Sequence, residues 1–160
     1  MTDAKPIEAE CAAGLRANLV TLQLDPAAID WLMRVYDAIQ FLDDVVDGTP
    51  IPRAEADRAI WDLLIALPLH PFYRDNLSEL SALMSTAILK WQASDRLERD
   101  GKAGPVTFVW RAGFYDLVLA AFRICHGPEA AIANAHLVVG LYGDTFQDYQ
   151  KEFPPCPAAL

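Results

Sequence analysis

The chain has 160 residues, of which 53% are hydrophobic and 22% are charged. This composition is typical of a folded globular protein and excludes a chain that is mostly disordered. With 13 Lys and Arg against 22 Asp and Glu, the net charge is −9. That balance excludes the basic surface of a nucleic-acid-binding protein, and it also excludes a polybasic patch that would hold the chain on anionic lipid.

Targeting signals are not evident in the sequence. The longest apolar run, 117–124, is interrupted by Arg123 and is shorter than the roughly 18 residues of a membrane span. The first six residues lack the pattern of a signal peptide. The three cysteines form no Cys-x-x-Cys motif and leave one unpaired, which favours a reducing compartment. We therefore expect a cytoplasmic protein without a membrane span.

Proline and glycine divide the chain into long helical stretches. Proline is favoured at the first position of a helix, and a glycine in the left-handed conformation is favoured just after the last. No alternating run of residues indicates a strand. The sequence therefore predicts one all-α domain over residues 1–160, a single bundle of six antiparallel helices with an extended tail at 153–160. The predicted helices span residues 6–23, 26–47, 52–67, 72–99, 105–126 and 128–152.

The second predicted helix has a clear apolar stripe. Its members alternate in spacing between three and four residues, which places them on one face. We expect this face to lie in the core. The stripe consists of Leu32, Val35, Ile39, Leu42 and Val46.

The fifth predicted helix is apolar on most sides, between Val106 and Phe122. A helix of this kind is usually surrounded by others, so we expect it to be central. The large aromatic side chains, including Trp31, Trp61 and Trp110, are likewise predicted to lie in the core.

Two acidic clusters are the features most suggestive of function. Asp43, Asp44 and Asp47 lie near the end of the second predicted helix, and Asp144 and Asp148 lie in the last one. The negative end of a helix dipole disfavours carboxylates there, and like charges four residues apart repel. A bound cation would compensate. Carboxylate ligands alone favour a hard ion, Mg²⁺ or Mn²⁺, so these five aspartates are predicted metal ligands.

The predicted topology would bring the two clusters together. Short connections make neighbouring helices antiparallel, so helices two, four and six would end at the same end of the bundle. Lysine and arginine side chains near that end are candidate ligands for a small-molecule diphosphate, whose developing charge a metal and cations can neutralise. These candidates are Arg53, Arg96, Lys102 and Arg111.

The spacings Asp43-x-x-x-Asp47 and Asp144-x-x-x-Asp148 resemble the two aspartate-rich motifs of the all-α isoprenoid synthases, most closely the squalene/phytoene synthase branch. The segment 143–148 also resembles the second motif of prenyl diphosphate synthases. The resemblance covers about a dozen residues and implies that the five aspartates bind Mg²⁺ and a substrate diphosphate. The chain is about half as long as typical members, so an enzyme of this type would be a reduced form or would need a homodimer.

Two alternatives stay open. The size is also similar to that of the all-α NTP pyrophosphohydrolases, which hold Mg²⁺ with acids from facing helices. The chain could instead be a non-enzymatic interaction or assembly protein. The acidic residues would then only be solvated, with Gly48 capping the second helix and Lys151 pairing with Asp148. The residues that would perform catalysis are not evident from the sequence.

Overall fold

The computed structural model describes residues 6–154, with side chains described from residue 11 onward. The first five residues and residues 155–160, which include Cys156 and most of the predicted extended tail, lie outside the described part. Within it the chain is all-α, with nine helices and no strand. The helices are α1 Pro6–Thr21, α2 Pro26–Asp47, α3 (Arg53–Trp61, continued by a π-helical segment Asp62–Ala66 and by Leu67–Leu69), α4 Pro71–Asp75, α5 Leu77–Arg99, α6 Pro105–Arg111, α7 Gly113–His126, α8 Pro128–Val139 and α9 Phe146–Glu152.

Proline and glycine mark the helix ends as the sequence predicts. Pro26, Pro105 and Pro128 each begin a helix. Gly48 follows α2 with φ +73°, and Gly127 follows α7 with φ +85°. Side chains other than glycine rarely adopt this left-handed backbone, so the two glycines end their helices where a bulkier residue would be strained.

The prediction of six continuous helices is wrong for the last three. The fourth predicted helix is divided at Asn76, the fifth at Ala112, and the sixth ends at Val139. Residues 140–145 connect α8 to α9 without forming a helix. The chain therefore changes direction at points where the hydrophobic pattern gave no indication of a break.

The break before α9 has a local cause. Gly140 and Gly143 lower the helix propensity of the connection. Thr145 then caps the next helix, because its side-chain oxygen accepts a hydrogen bond from the Asp148 N–H at 3.2 Å. Asp148 consequently lies in the first turn of α9 and not at the end of a long helix.

The chain divides between Leu77 and Ser78 into two compact units. Trp31 anchors the core of the first. Its side chain is fully buried, and its ring lies 5.8 Å from the rings of both Phe72 and Tyr73. The Trp31 prediction is thus confirmed. Whether 1–160 forms one domain stays a prediction.

The apolar stripe of α2 is buried only in its first half. Leu32 and Val35 are buried, whereas Leu42 and Val46 are exposed. The predicted core face therefore ends before the acidic residues begin, and the carboxylates at the end of α2 do not border the core.

In the second unit, α7 and α8 form the most extensive helix pair. Leu117, Val118 and Phe122 of α7 are buried. The first half of the predicted fifth helix behaves differently, because Val109 and Trp110 of α6 are exposed. The burial of these residues of α7 agrees with the prediction, whereas the prediction of a core position is wrong for this part of α6. That α7 is central in the fold stays a prediction. No helix in the described part is long and apolar enough to cross a membrane.

Two glycine substitutions test the packing of the two units. A Cβ added at Gly113 would lie 2.9 Å from the Cβ of Ala87, whereas one added at Gly14 in α1 would meet nothing within 4 Å. We expect Gly113→Ala to lower the free energy of unfolding by about 1–3 kcal/mol. Gly14→Ala, the matched control, should raise it by up to about 1 kcal/mol. Urea denaturation measures both, and an unchanged stability of Gly113→Ala would contradict the close approach.

Candidate functional site

A cleft of about 530 Å³ lies in the first unit among α1, α2 and α3. Its charged residues comprise five carboxylates and three guanidinium groups, and its remaining walls are mainly apolar. The charged residues are Arg16 of α1, Asp30, Arg34, Asp37 and Asp44 of α2, and Glu55, Arg58 and Asp62 of α3. The apolar and aromatic walls include Met33, Tyr36, Phe41 and Leu63.

Helical spacing places the carboxylates of α2 along the cleft. Asp30, Asp37 and Asp44 are each seven residues apart, which is close to two full turns, so they share one face. Glu55 and Asp62 of α3 are also seven residues apart and line the opposite wall. The cleft is therefore bounded by two rows of acids.

Arg34 joins the two walls. Its Nε donates to Asp30 Oδ2 at 2.9 Å, and its Nη1 donates to Asp62 Oδ1 at 3.3 Å. The hydrogen bond from Arg34 holds the pKa of the Asp30 carboxyl below its ordinary value, although partial burial opposes the shift. His70 Nε2 lies 3.2 Å from the same Asp30 oxygen. The Asp30 carboxylate is thus already engaged by two partners.

The carboxyl of Asp37 has a different environment from that of Asp30. Desolvation by its surroundings raises the pKa of its carboxyl, Arg58 opposes the shift most strongly, and the nearby Asp62 adds to it. Arg16 also lowers the pKa of Asp37 through its charge. Within residues 11–154, the side chains of Arg16 and Arg58 form no ion pair or hydrogen bond, and both are exposed. Two cations and one partly desolvated acid thus face the cleft without direct partners.

Only one of the aspartates predicted as metal ligands at the end of α2 lines this cleft. Asp44 is a lining residue, whereas Asp43 and Asp47 are not. Asp43 is half-buried and Asp47 is exposed. The acidic motif that the sequence singled out therefore lies at one end of a longer charged row on α2.

The second predicted acidic pair does not lie on one helix. Asp144 is in the non-helical connection before α9, and Asp148 is in the first turn of that helix. The reasoning that a helix C-terminus disfavours both carboxylates is wrong here, because a first-turn carboxylate interacts favourably with the dipole. Asp148 contacts Lys151 Nζ at 2.6 Å and Thr145 Oγ1 at 2.7 Å. These hydrogen bonds, that from Lys151 first, hold the pKa of Asp148 below its ordinary value, and the predicted pairing with Lys151 is confirmed.

The cations predicted to bind diphosphate are each close to an acid. Arg53 pairs with Asp57 on the outer side of α3 at 2.8 Å. Arg96 and Lys102 both approach Asp100, at 3.5 and 3.9 Å. The prediction that they bind phosphate stays a prediction.

Arg111 belongs to a buried network in the second unit. It donates to Glu98 at 3.2 Å, and the Glu98 side chain is only 5% exposed. The Tyr149 hydroxyl lies 2.7 Å from Glu98 Oε1 and 2.6 Å from Thr107 Oγ1. Burial raises the pKa of Tyr149 to about 12, and the hydrogen bond to Glu98 contributes. This network ties α9 to α5 and α6, so it fits a structural role.

Within residues 11–154, no three Asp, Glu, His or Cys side chains lie close enough together to hold a metal ion by themselves. The chain matches no protein-family model, no curated protein and no solved structure in the comparisons made.

The sequence reasoning missed most of the cleft. Asp30 and Asp37 lie outside the two aspartate motifs, whose members are three or four residues apart. The seven-residue spacing that includes Asp44 was a usable signal, since it marks one helix face. The opposing arginines could not be found this way, because Arg16 and Arg58 lie on other helices.

Replacing Tyr149 with Phe tests the buried network. The variant leaves Glu98 without one hydrogen bond, so we expect the free energy of unfolding to fall by about 1–3 kcal/mol at neutral pH. Above pH 10 an unfolded tyrosine loses its proton while Tyr149, with a pKa of about 12, keeps it. This difference makes wild-type stability fall as pH rises through that range. Urea denaturation at about pH 9 and about pH 11 should show a smaller alkaline loss in Tyr149→Phe, and an equal loss would contradict the assignment.

Proposed function

We propose that the first unit binds a diphosphate ester together with Mg²⁺ or Mn²⁺ in the cleft among α1, α2 and α3. The observation that carries this proposal is the presence of oxygen ligands for a hard cation and guanidinium groups for phosphate in the same cleft. Asp37 is the proposed metal ligand, and Arg16 and Arg58, whose charges act on Asp37, are the proposed phosphate ligands.

Magnesium chemistry favours such a site over a closed metal cage. Mg²⁺ usually keeps several waters and binds through one or two carboxylates plus the phosphates of its substrate. A cluster of three protein ligands is therefore not required. Asp37 suits this role because desolvation raises its pKa, and a divalent cation would favour its charged form.

Phosphate binding in this proposal depends on arginine side chains that form no ion pair or hydrogen bond in the described part. Arg34 is engaged by Asp30 and Asp62, whereas Arg16 and Arg58 face the cleft without a hydrogen-bond partner in the described part. Guanidinium groups match phosphate oxygens in pairs of parallel hydrogen bonds. Without a metal, the five carboxylates of the lining would repel an anion, so binding should require the cation.

The volume and walls fit an ester rather than a bare ion. A cleft of about 530 Å³ lies within the range of small-molecule sites. Met33, Phe41 and Leu63 add apolar surface beside the charged rows, which suits an organic group attached to the diphosphate. The metal would supply Lewis-acid stabilisation, either of a departing diphosphate or of a diphosphate attacked by water.

Both family resemblances lead to this chemistry, the isoprenoid synthases by loss of diphosphate and the NTP pyrophosphohydrolases by hydrolysis. The sequence predicts a different metal site, in which Asp43 and Asp47 face Asp144 and Asp148 at one end of a bundle. That site stays a prediction. The two sites differ in which aspartates bind the metal, so mutation distinguishes them.

Isothermal titration of the full chain with inorganic diphosphate tests the proposal. We expect binding in the presence of Mg²⁺ and little without it. Arg58→Gln should weaken binding about 10- to 100-fold, because a charge-assisted hydrogen bond contributes roughly 1.5–3 kcal/mol. Asp37→Asn should weaken the Mg²⁺-dependent binding and should not improve it.

The chain offers matched controls for this titration. Arg53→Gln removes a cation from the same helix outside the cleft and should leave the affinity unchanged. Asp144→Asn combined with Asp148→Asn should also have no effect. Loss of binding in the double variant, with Arg58→Gln unaffected, would contradict the cleft and support the sequence-based pair.

A second candidate function is a non-enzymatic interaction or assembly protein. The observation in its favour is that large apolar side chains are exposed in both units, including Trp61, Ile132 and Val139. The two functions differ in ligand response. A thermal midpoint that does not change with Mg²⁺ and diphosphate would favour this second function.

A further inference from the structure

His70, at the turn between α3 and α4, contacts the cleft through a single carboxylate. Its side chain is only 10% exposed, and it is not among the residues that line the cleft. The ring Nε2 lies 3.2 Å from Asp30 Oδ2, whereas the ring Nδ1 is buried and has no hydrogen-bond partner in the described part. Asp30 is therefore the side chain through which the charge of His70 acts on the cleft.

One oxygen of Asp30 is shared between His70 and the arginine that spans the cleft. Asp30 Oδ2, which contacts His70, also accepts from Arg34 Nε at 2.9 Å, and Arg34 donates in turn to Asp62 on the opposite wall. The hydrogen bond from Arg34 first, and that from His70, hold the pKa of Asp30 below its ordinary value. Asp30 is therefore ionised at neutral pH, and an ionised carboxylate can only accept hydrogen bonds.

The charge of His70 decides the net charge of this group of four side chains. Asp30 and Asp62 each carry a negative charge and Arg34 a positive one, so the group is negative when the His70 ring is neutral and uncharged when the ring is protonated. Histidine is the side chain whose charge ordinarily changes between about pH 5 and 8. Because the other three members line the cleft, protonation of His70 lowers the repulsion that an anion meets there.

The remaining charged groups near this contact do not change the direction of the effect. Arg74 and Asp75 of α4, close to His70 along the chain, are both exposed and have opposite charges. Asp37 of α2 acts on Arg34 through its charge, and desolvation raises the pKa of Asp37. Since Asp37 is present in the wild type and in a His70 variant alike, a comparison of the two proteins cancels its titration.

We propose that His70 regulates the cleft: protonation of its ring, acting through Asp30 and Arg34, strengthens the binding of an anionic diphosphate complex as the pH falls from about 8 to about 6. This inference rests on the proposed function of the cleft. Coupling between two binding events is reciprocal, so the bound anion favours the protonated ring, and binding takes up a proton at His70. The residue has a regulatory role and is not itself a ligand.

Isothermal titration of the full chain with inorganic diphosphate and saturating Mg²⁺, at about pH 6 and about pH 8, tests the proposal. His70→Gln keeps an N–H donor for Asp30 but carries no charge at either pH. We expect the ratio of wild-type to variant affinity to be about 3- to 10-fold higher at the lower pH, because one positive charge is added beside the site. Titrations in two buffers with different enthalpies of ionisation should show greater proton uptake by the wild type than by the variant.

His136→Gln is the matched control, because it removes a histidine of α8 in the second unit, and it should bind as the wild type does at both pH values. An affinity ratio for His70→Gln that does not change with pH overturns this proposal and leaves the proposed function standing. Absence of wild-type binding at both pH values overturns both.

Nuclear magnetic resonance of the wild type keeps the proposal testable if His70→Gln does not fold. The ring Cε1–H signal of His70 can be assigned by elimination with His126→Gln and His136→Gln. We expect the pH midpoint of this signal to rise when diphosphate and Mg²⁺ are added, because the bound anion favours the protonated ring. A midpoint that the ligand does not change overturns the proposal.

Discussion

The ion pair between Arg34 and Asp62 is the contact that joins the two walls of the cleft in the first unit. Arg34 holds Asp30 on its own helix and Asp62 on α3, so it fixes which side of α3 faces α2. Both partners are partly exposed, and such ion pairs contribute at most about 1 kcal/mol to stability. The pair therefore marks which side of α3 lies toward α2 and adds little to stability. It brings the polar side of α3 inward to form the cleft and leaves the apolar side outward.

The two units differ in how their charged side chains are paired. In the second unit Glu98 is engaged by both Arg111 and Tyr149, so its network is closed and its groups have little capacity left for a ligand. In the first unit Asp37 and Arg58 are exposed along the cleft, and neither side chain has a hydrogen-bond partner in the described part. Polar groups that are satisfied internally stabilise a fold, whereas groups that lack partners are suited to binding.

Local sequence signals predicted helix ends correctly where the signals were strong. Gly48 and Gly127 end helices because they adopt a backbone that other residues avoid, and this preference is readable in sequence. The break before α9 was missed although Thr145 and Asp148 have the spacing of a helix cap. The hydrophobic pattern continues across this break, and only the local capping signal indicates it. The burial of the α2 stripe was predicted correctly for Leu32 and wrongly for Leu42, because periodicity reports which face is apolar and not how far a partner helix extends.

The sequence by itself determined that the chain is helical, where many of the helices begin and end, and that acidic side chains share one face of α2, because these properties depend on residues a few positions apart. Only the tertiary structure decided that Asp37 faces Arg16 and Arg58 across a cleft, and that Trp61 is exposed rather than buried. These facts depend on how α1, α2 and α3 dock. Docking is decided by contacts between residues far apart in the chain, such as Arg34 with Asp62, whose pairing no local pattern specifies.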